Sequence, residues 1–271
     1  MIARLFIVSV LLLASHGLLQ ADSPRGLVKS VTGEAVLVTA DGKSVPITNG
    51  TIIPTGGKIQ TGTNGKLIIE WLPGAFSVVF PNSNVTASSM GGSAPAGSGT
   101  QRQVLISLIK GTVFCHLTHD AGVSAFSVKT PAGVAAARGC DYFVNYNNGN
   151  GQATVSVLTD TVSITLPNGT VTIASALFDY LMGAPSPTKM TEQELTTDLN
   201  LLSSAGLTVT LVNINDVRAG FTITYTPAIG DGFQFFIPKP APGSDNGQLP
   251  PGSLPPGSTQ TPVPNVPPAS L

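Results

Sequence analysis

Between Phe126 and Ile164 the side chains switch face at successive residues and only turn-forming groups interrupt them, a cadence that leaves the chain few folds to adopt. Phe126 and Val128 face one way while Ser127 and Lys129 face the other, the period of two that marks a strand buried on one side. Thr130-Pro131 ends that strand, because proline offers no N–H to a ladder and steers the residue before it towards extended or turn geometry. Gly133 to Ala137 is a run of small side chains suited to a tight crossing. Arg138-Gly139 then brings a charge followed by a backbone position free of Cβ constraints. Tyr142 and Val144 share a face, and beyond the Asn147-Asn148-Gly149 turn Val155, Val157, Val162 and Ile164 continue the alternation.

The same device recurs upstream. "GLVKSVTGEAVLVTADGKSVPI" reads as two or three short strands punctuated by Gly33 and Asp41-Gly42. Asn49-Gly50, Gly56-Gly57 and Asn64-Gly65 then separate strands of about five residues. "FSVVFPNSNVTA" adds a strand, "SSMGGSAPAGSGTQ" is a small-residue loop, and "QVLISLIKGTVFCHL" is apolar almost throughout, which predicts strands covered on both faces. With 30 glycines, 22 prolines and only 10% charged residues, the composition fits many short strands and turns. All-β is the predicted class.

These motifs resemble the FecR-like domain of bacterial extracytoplasmic proteins, whose core reads Phe-x-Val-x-Thr-Pro, a small-residue run, then Arg-Gly-Thr-x-Phe-x-Val. The matching residues are Phe126, Val128, Thr130, Pro131, Arg138, Gly139, Tyr142 and Val144. The family's threonine is Cys140 here, and its phenylalanine is Tyr142. The likeness runs from about Gly26 to Ile173. Together with the glycine-spaced strands it implies a twisted, solenoid-like or two-sheet stack of short strands.

The expected organisation is a secretory signal over 1–21, a FecR-like β-domain over 26–175, a small α+β appendage over 176–238 and a disordered proline-rich tail over 239–271. Arg4, the apolar run Leu5 to Ala14 and Leu19-Gln20-Ala21 compose the signal, so a periplasmic or secreted location is expected. No later segment is apolar enough to cross a bilayer. In the appendage, Thr191 and Glu194 form a capping box ahead of Leu195, Leu199 and Leu202 at helical spacing, with Gly206 as the stop. The tail holds ten of the prolines, and such a segment lacks the apolar surface to offset its ordering entropy.

Cys115 and Cys140 are the whole cysteine complement. In an oxidising compartment they invite a disulfide, and the alternative is a pair of buried, inert thiols. His116 and His119, with Cys115 and Asp120 beside them, are the only local hint of a metal, and a spacing of three on a strand puts the two rings on opposite faces. No metal site is assigned. Glu34, Glu70, Asp141 and Asp160 are scattered, no serine sits in a strained strand-to-helix turn, and no phosphate loop is present. No catalytic or cofactor-binding residues are assigned, and an enzyme is not expected. A net charge of −1 without a basic cluster argues against nucleic acid. Arg138 is read as a structural fork onto turn carbonyls or a carboxylate, and Trp71 as a packing residue.

The resemblance implies protein partners. Relatives pair this domain with a cytoplasmic anti-sigma segment and one membrane helix, neither of which is read here, so an envelope scaffold or signalling-related binding module is the expected function. A cell-wall glycan binder is the alternative, and it requires exposed aromatics on one sheet face.

Overall fold

The computed structural model describes residues 25–39, 41–91, 102–117, 123–212, 220–225 and 233–238. The signal segment, most of the 88–101 loop, His119, Asp120 and the proline-rich tail lie outside them. The chain is all-β with one helix among the described residues. Its strands are β1 (Gly26–Thr32), β2 (Ala35–Val38), β3 (Ser44–Pro46), β4 (Ile52–Ile53), β5 (Lys58–Thr61), β6 (Lys66–Leu72), β7 (Ala75–Val79), β8 (Asn84–Gly91), β9 (Arg102–Leu117) and β10 (Val123–Thr130). They continue as β11 (Gly133–Ala137), β12 (Asp141–Asn147), β13 (Gln152–Val157), β14 (Thr161–Thr165), β15 (Val171–Ser175), β16 (Phe178–Leu181) and β17 (Thr188–Lys189). After α1 (Glu192–Ser204) come β18 (Thr208–Val212), β19 (Gly220–Tyr225) and β20 (Phe233–Pro238), which pair as a separate antiparallel sheet.

The first seventeen strands hydrogen-bond continuously and fold into two layers. Layer A runs β4-β1-β6-β7-β9-β12-β13-β16-β17. Layer B runs β3-β2-β5-β8-β9-β10-β11-β14-β15. From β10 onward the chain lays one hairpin on layer B, the next on layer A, and so on. Every pairing is antiparallel except β9 with β10. The two-sheet form of the expectation therefore describes the fold, and the solenoid form finds no support in the pairing. β16 and β17, beyond the expected domain boundary at 175, add to layer A.

β9 is the hinge of this arrangement. Its first half pairs with β8 and β10 in layer B, and its second half pairs with β7 and β12 in layer A. The change of layer falls at Gly111, whose φ of 96 is open to glycine and strained for other residues. A Cβ there would lie 2.2 Å from Ser83 Oγ. Ser83 Oγ in turn accepts from Thr112 N at 3.0 Å and holds the bend.

Two apolar cores result. The larger lies between the layers and includes Trp71, Ile106, Phe126, Val128, Tyr142, Val144 and Val155. Trp71 is 1% exposed and its Nε1 donates to buried Ser77 Oγ at 2.7 Å, so the indole's polar edge is satisfied inside the core. The smaller core lies on the outer face of layer A, where Ile68, Val78, Phe80, Phe114 and Phe143 pack against Leu199 and Leu202 of α1. The helix has the expected capping box: Thr191 N donates to Glu194 Oε2 at 2.7 Å and Glu194 N donates to Thr191 Oγ1 at 3.2 Å. It ends in a Schellman pattern, with Gly206 N bonded to Ser203 O and Leu207 N to Leu202 O. Lys66 Nζ reaches the terminal carbonyl of Ser204 at 2.6 Å, placing a cation at the negative end of the helix.

Candidate functional site

The residues singled out by their motif gather where the chain passes from layer B to layer A between β11 and β12. Thr130 and Gly133 close the β10–β11 hairpin around Pro131-Ala132. Buried Thr130 Oγ1 donates to Gly133 O at 3.1 Å and accepts from Ala132 N at 3.2 Å, so it secures both sides of the turn. The crossing itself is the bend at Arg138-Gly139, where Gly139 takes φ 92. Leu117 N then donates to Cys140 O at 3.2 Å and aligns β12 against β9.

Tyr142 and Val144 point into the core between the layers, as their alternation predicts. Tyr142 carries a hydroxyl into a site that is fully buried, and that hydroxyl donates to Phe126 O at 2.9 Å, which ties the two layers together. Its directly opposite neighbour across the ladder is Cys115, whose thiol is hydrogen-bonded to it. Burial pushes both the Cys115 and the Cys140 thiols well above the ordinary range, so neither is poised as a nucleophile. Both thiols are free and buried in the structure. Cys115 faces Tyr142, so Cys140, two residues before it, stands diagonally from Cys115.

Arg138 departs from its expected role. It is exposed, and its guanidinium makes no hydrogen bond or ion pair among the described residues. A fork onto turn carbonyls is not what holds the crossing; Gly139 and the Cys140 carbonyl do that.

The strongest polar constellation was not legible in the sequence. His116 and Asp141 are directly opposite across β9 and β12, 3% and 5% exposed, with His116 Nδ1 and Asp141 Oδ1 at 2.5 Å. Asp141 Oδ2 accepts from Thr159 Oγ1 at 2.9 Å, and Thr159 Oγ1 in turn accepts from Asp141 N at 2.8 Å. The Phe76 ring lies 6.0 Å from the imidazole. The Thr159 hydroxyl sits on the carboxylate and fixes its orientation. The geometry is that of a buried tie joining β9, β12 and the turn before β14. Only the register across a separation of 25 residues brings the pair together, so no local pattern could have found it.

A second cluster joins α1 to layer A. Asp179 of β16 and Asp198 of α1 each bury an unpartnered carboxylate oxygen, and Glu194 lies one turn before Asp198 on the same helix face. Burial, then the neighbouring charges of Asp179 and Glu194, pushes Asp198 up to about 7. Asp179 is also raised, by burial first, against a bond from Ser156 that lowers it. Among the described residues no group of three or more His, Cys, Asp or Glu side chains could hold a metal ion. No helix there is long and apolar enough to cross a membrane.

Comparison with known proteins places this site inside a recognised domain. Residues 57–163 match the family model described as FecR protein, a span that contains the Thr130-Pro131 turn, the Arg138-Gly139 crossing, Tyr142 and Val144. Two crystal structures of a proposed anti-sigma factor from Parabacteroides distasonis ATCC 8503, at 2.50 and 1.65 Å, align with TM-scores of 0.40 and 0.39. Each is 16% identical and the alignment covers 58% of this chain and 67% of the other. No curated protein matches the chain.

Proposed function

Residues 57–163 carry a FecR domain, and on that premise we propose that the protein is an exported, non-enzymatic interaction module that binds a protein partner in the bacterial envelope and serves signalling. The observation that carries this reading is the domain match itself, because the FecR resemblance implies protein partners and the relay of signals. The geometry around the motif supports it. Among the described residues its polar groups form turns and interlayer ties: Thr130 at the β10–β11 turn and the Tyr142 hydroxyl on Phe126 O. The signal-like N-terminus supports export. The glycan alternative is not favoured, since the exposed large apolar residues among those described are aliphatic, including Val45, Ile109, Val171 and Ile173, and none is aromatic.

The test is capture from envelope extract by the mature chain, with bound protein identified by mass spectrometry and its binding repeated with purified components. A discrete protein that binds the purified chain is the expected result. Retention of wall glycan alone, or turnover of an envelope substrate, would overturn the reading.

A further inference from the structure

We propose that the free edge of β15 is a docking site for an extended strand of the partner protein, which would join layer B by main-chain pairing. This rests on the protein-binding reading and gives it a location. The two layers have four edges, and they are guarded unequally. Exposed strand edges present unpaired N–H and C=O groups, and proteins blunt them with short strands, proline or charge. The β3 edge of layer B has three residues, ends in Pro46 and is flanked by the Lys43–Asp41 ion pair at 3.0 Å. In layer A, β4 is two residues long, and beyond it the Asn49 side chain accepts from Val31 N at 2.9 Å. The other edge of layer A, β17, is two residues long and ends in Lys189. β15 carries none of these guards.

β15 has five residues, "VTIAS", without charge, proline or glycine, and pairs only with β14 among the described residues. Its outward side chains, Val171 and Ile173, are 58% and 53% exposed. A row of unpaired main-chain groups at strand spacing is satisfied by another strand, and the two branched side chains favour an occupant with apolar residues at alternate positions. The uncharged edge favours an uncharged core in that occupant. The proline-rich tail of this chain is a poor occupant, since its one proline-free run longer than five residues, 243–249 ("GSDNGQL"), is polar and lacks the alternating apolar residues that Val171 and Ile173 favour. A second copy offers only the same five residues, against the roughly 20–30 residues a side of a standard stable interface. A flexible partner segment meets no such requirement and can bind weakly and reversibly.

The probe is an acetylated, amidated peptide of three Thr-Val repeats flanked by lysines, titrated against the full mature chain. Binding with hydrogen-exchange protection of β15 amides is expected, and Ile173→Lys should weaken it at least tenfold with circular dichroism unchanged. Val45→Lys, at the guarded edge, should leave affinity unchanged, and a peptide with proline for its central valine should not bind. Absence of binding, or equal affinity for wild type and Ile173→Lys, would overturn the inference. So would a dimer of the free chain that Ile173→Lys dissolves, because the occupant would then be a second copy. Envelope capture that survives Ile173→Lys would sink the edge site while leaving the protein-binding reading standing.

Discussion

The same strand, β9, runs through both layers, yet its two halves are solvated differently. In layer B, Val104, Ile106 and Leu108 are buried while Gln103, Leu105, Ser107 and Ile109 are exposed or half-buried. In layer A, Val113 through Leu117 are buried without a break. β7 and the start of β12 repeat the continuous pattern, and β5, β11 and β14 repeat the alternating one. The cause is α1, which covers the outer face of layer A over β6, β7, β9 and β12, whereas the outer face of layer B, with Leu105, Ser107, Ile109, Ser127 and Ala136, has no helix over it among the described residues. A sheet covered twice is a structural element; a sheet covered once keeps a face and an edge for other molecules.

The largest effect should come from breaking the link between the layers. Gly111→Ala forces a left-handed residue and drives a methyl group to 2.2 Å from Ser83 Oγ at the point where β9 changes layer. Gly42 has a similar φ of 80, but a Cβ there meets nothing within 4 Å. Chemical denaturation should show a loss of about 3 kcal/mol or more for Gly111→Ala and about 1 kcal/mol for Gly42→Ala. Equal losses would mean that the close packing at the crossover is not what matters.

The next sharpens the contrast between faces. Leu202 of α1 is fully buried on layer A, and its truncation to alanine should cost about 2–4 kcal/mol. Ser127→Ala, on the outer face of layer B, should stay within about 0.5 kcal/mol. Comparable losses at the two sites would show that the outer face of layer B is also covered.

Much of this difference is readable in the residues. The near-continuous apolar run through "QVLISLIKGTVFCHL" announces a strand covered on both faces, which holds for Val113 to Leu117 and fails for the layer B half, where Leu105 and Ile109 face outward beside Gln103 and Ser107; the Thr191 and Glu194 box with Leu199 and Leu202 announces the helix that covers the second half. What could not be read is which face the helix covers, because amphipathic spacing gives a helix a wet and a dry side but no address. The His116 and Asp141 tie stayed hidden for a related reason: alternation fixes which side of a strand a residue faces, and only the pairing register says what stands opposite. The cysteines show the same limit, since their number and compartment suggest a bridge while only the register shows that Cys115 stands opposite Tyr142. At Arg138 the motif was visible, but its exposure depends on how the crossing turns.

A third prediction uses pH to loosen the cover on layer A. Asp198, held at about 7 by burial with Asp179 and Glu194 beside it, binds a proton in the folded state that the unfolded chain, near 3.9, releases. Its folded value is raised, so its contribution is fully present below about pH 4 and is lost as pH rises towards 7 and beyond. Reduced for its partial exposure, the effect should be on the order of 2 kcal/mol. Asp198→Asn should flatten that slope and stabilise the protein at pH 8. A slope that Asp198→Asn leaves intact would move the titration to another group.

The smallest expected change is at Arg138, and it separates structure from recognition at the motif. Nothing among the described residues holds its guanidinium, while the crossing is fixed by Gly139 at φ 92 and by the bond from Leu117 N to Cys140 O. Removing an exposed side chain without partners alters stability by about 0.5 kcal/mol or less, so Arg138→Ala should melt within a few degrees of the wild type. Gly139→Ala, at the adjacent position, should lower the melting temperature clearly, because alanine strains a left-handed backbone. If Arg138→Ala instead melts as early as Gly139→Ala, the arginine supports the crossing after all. If it melts like the wild type but captures less partner from envelope extract, the charge at the layer crossing belongs to the binding surface, and layer B then offers a cation as well as an open edge.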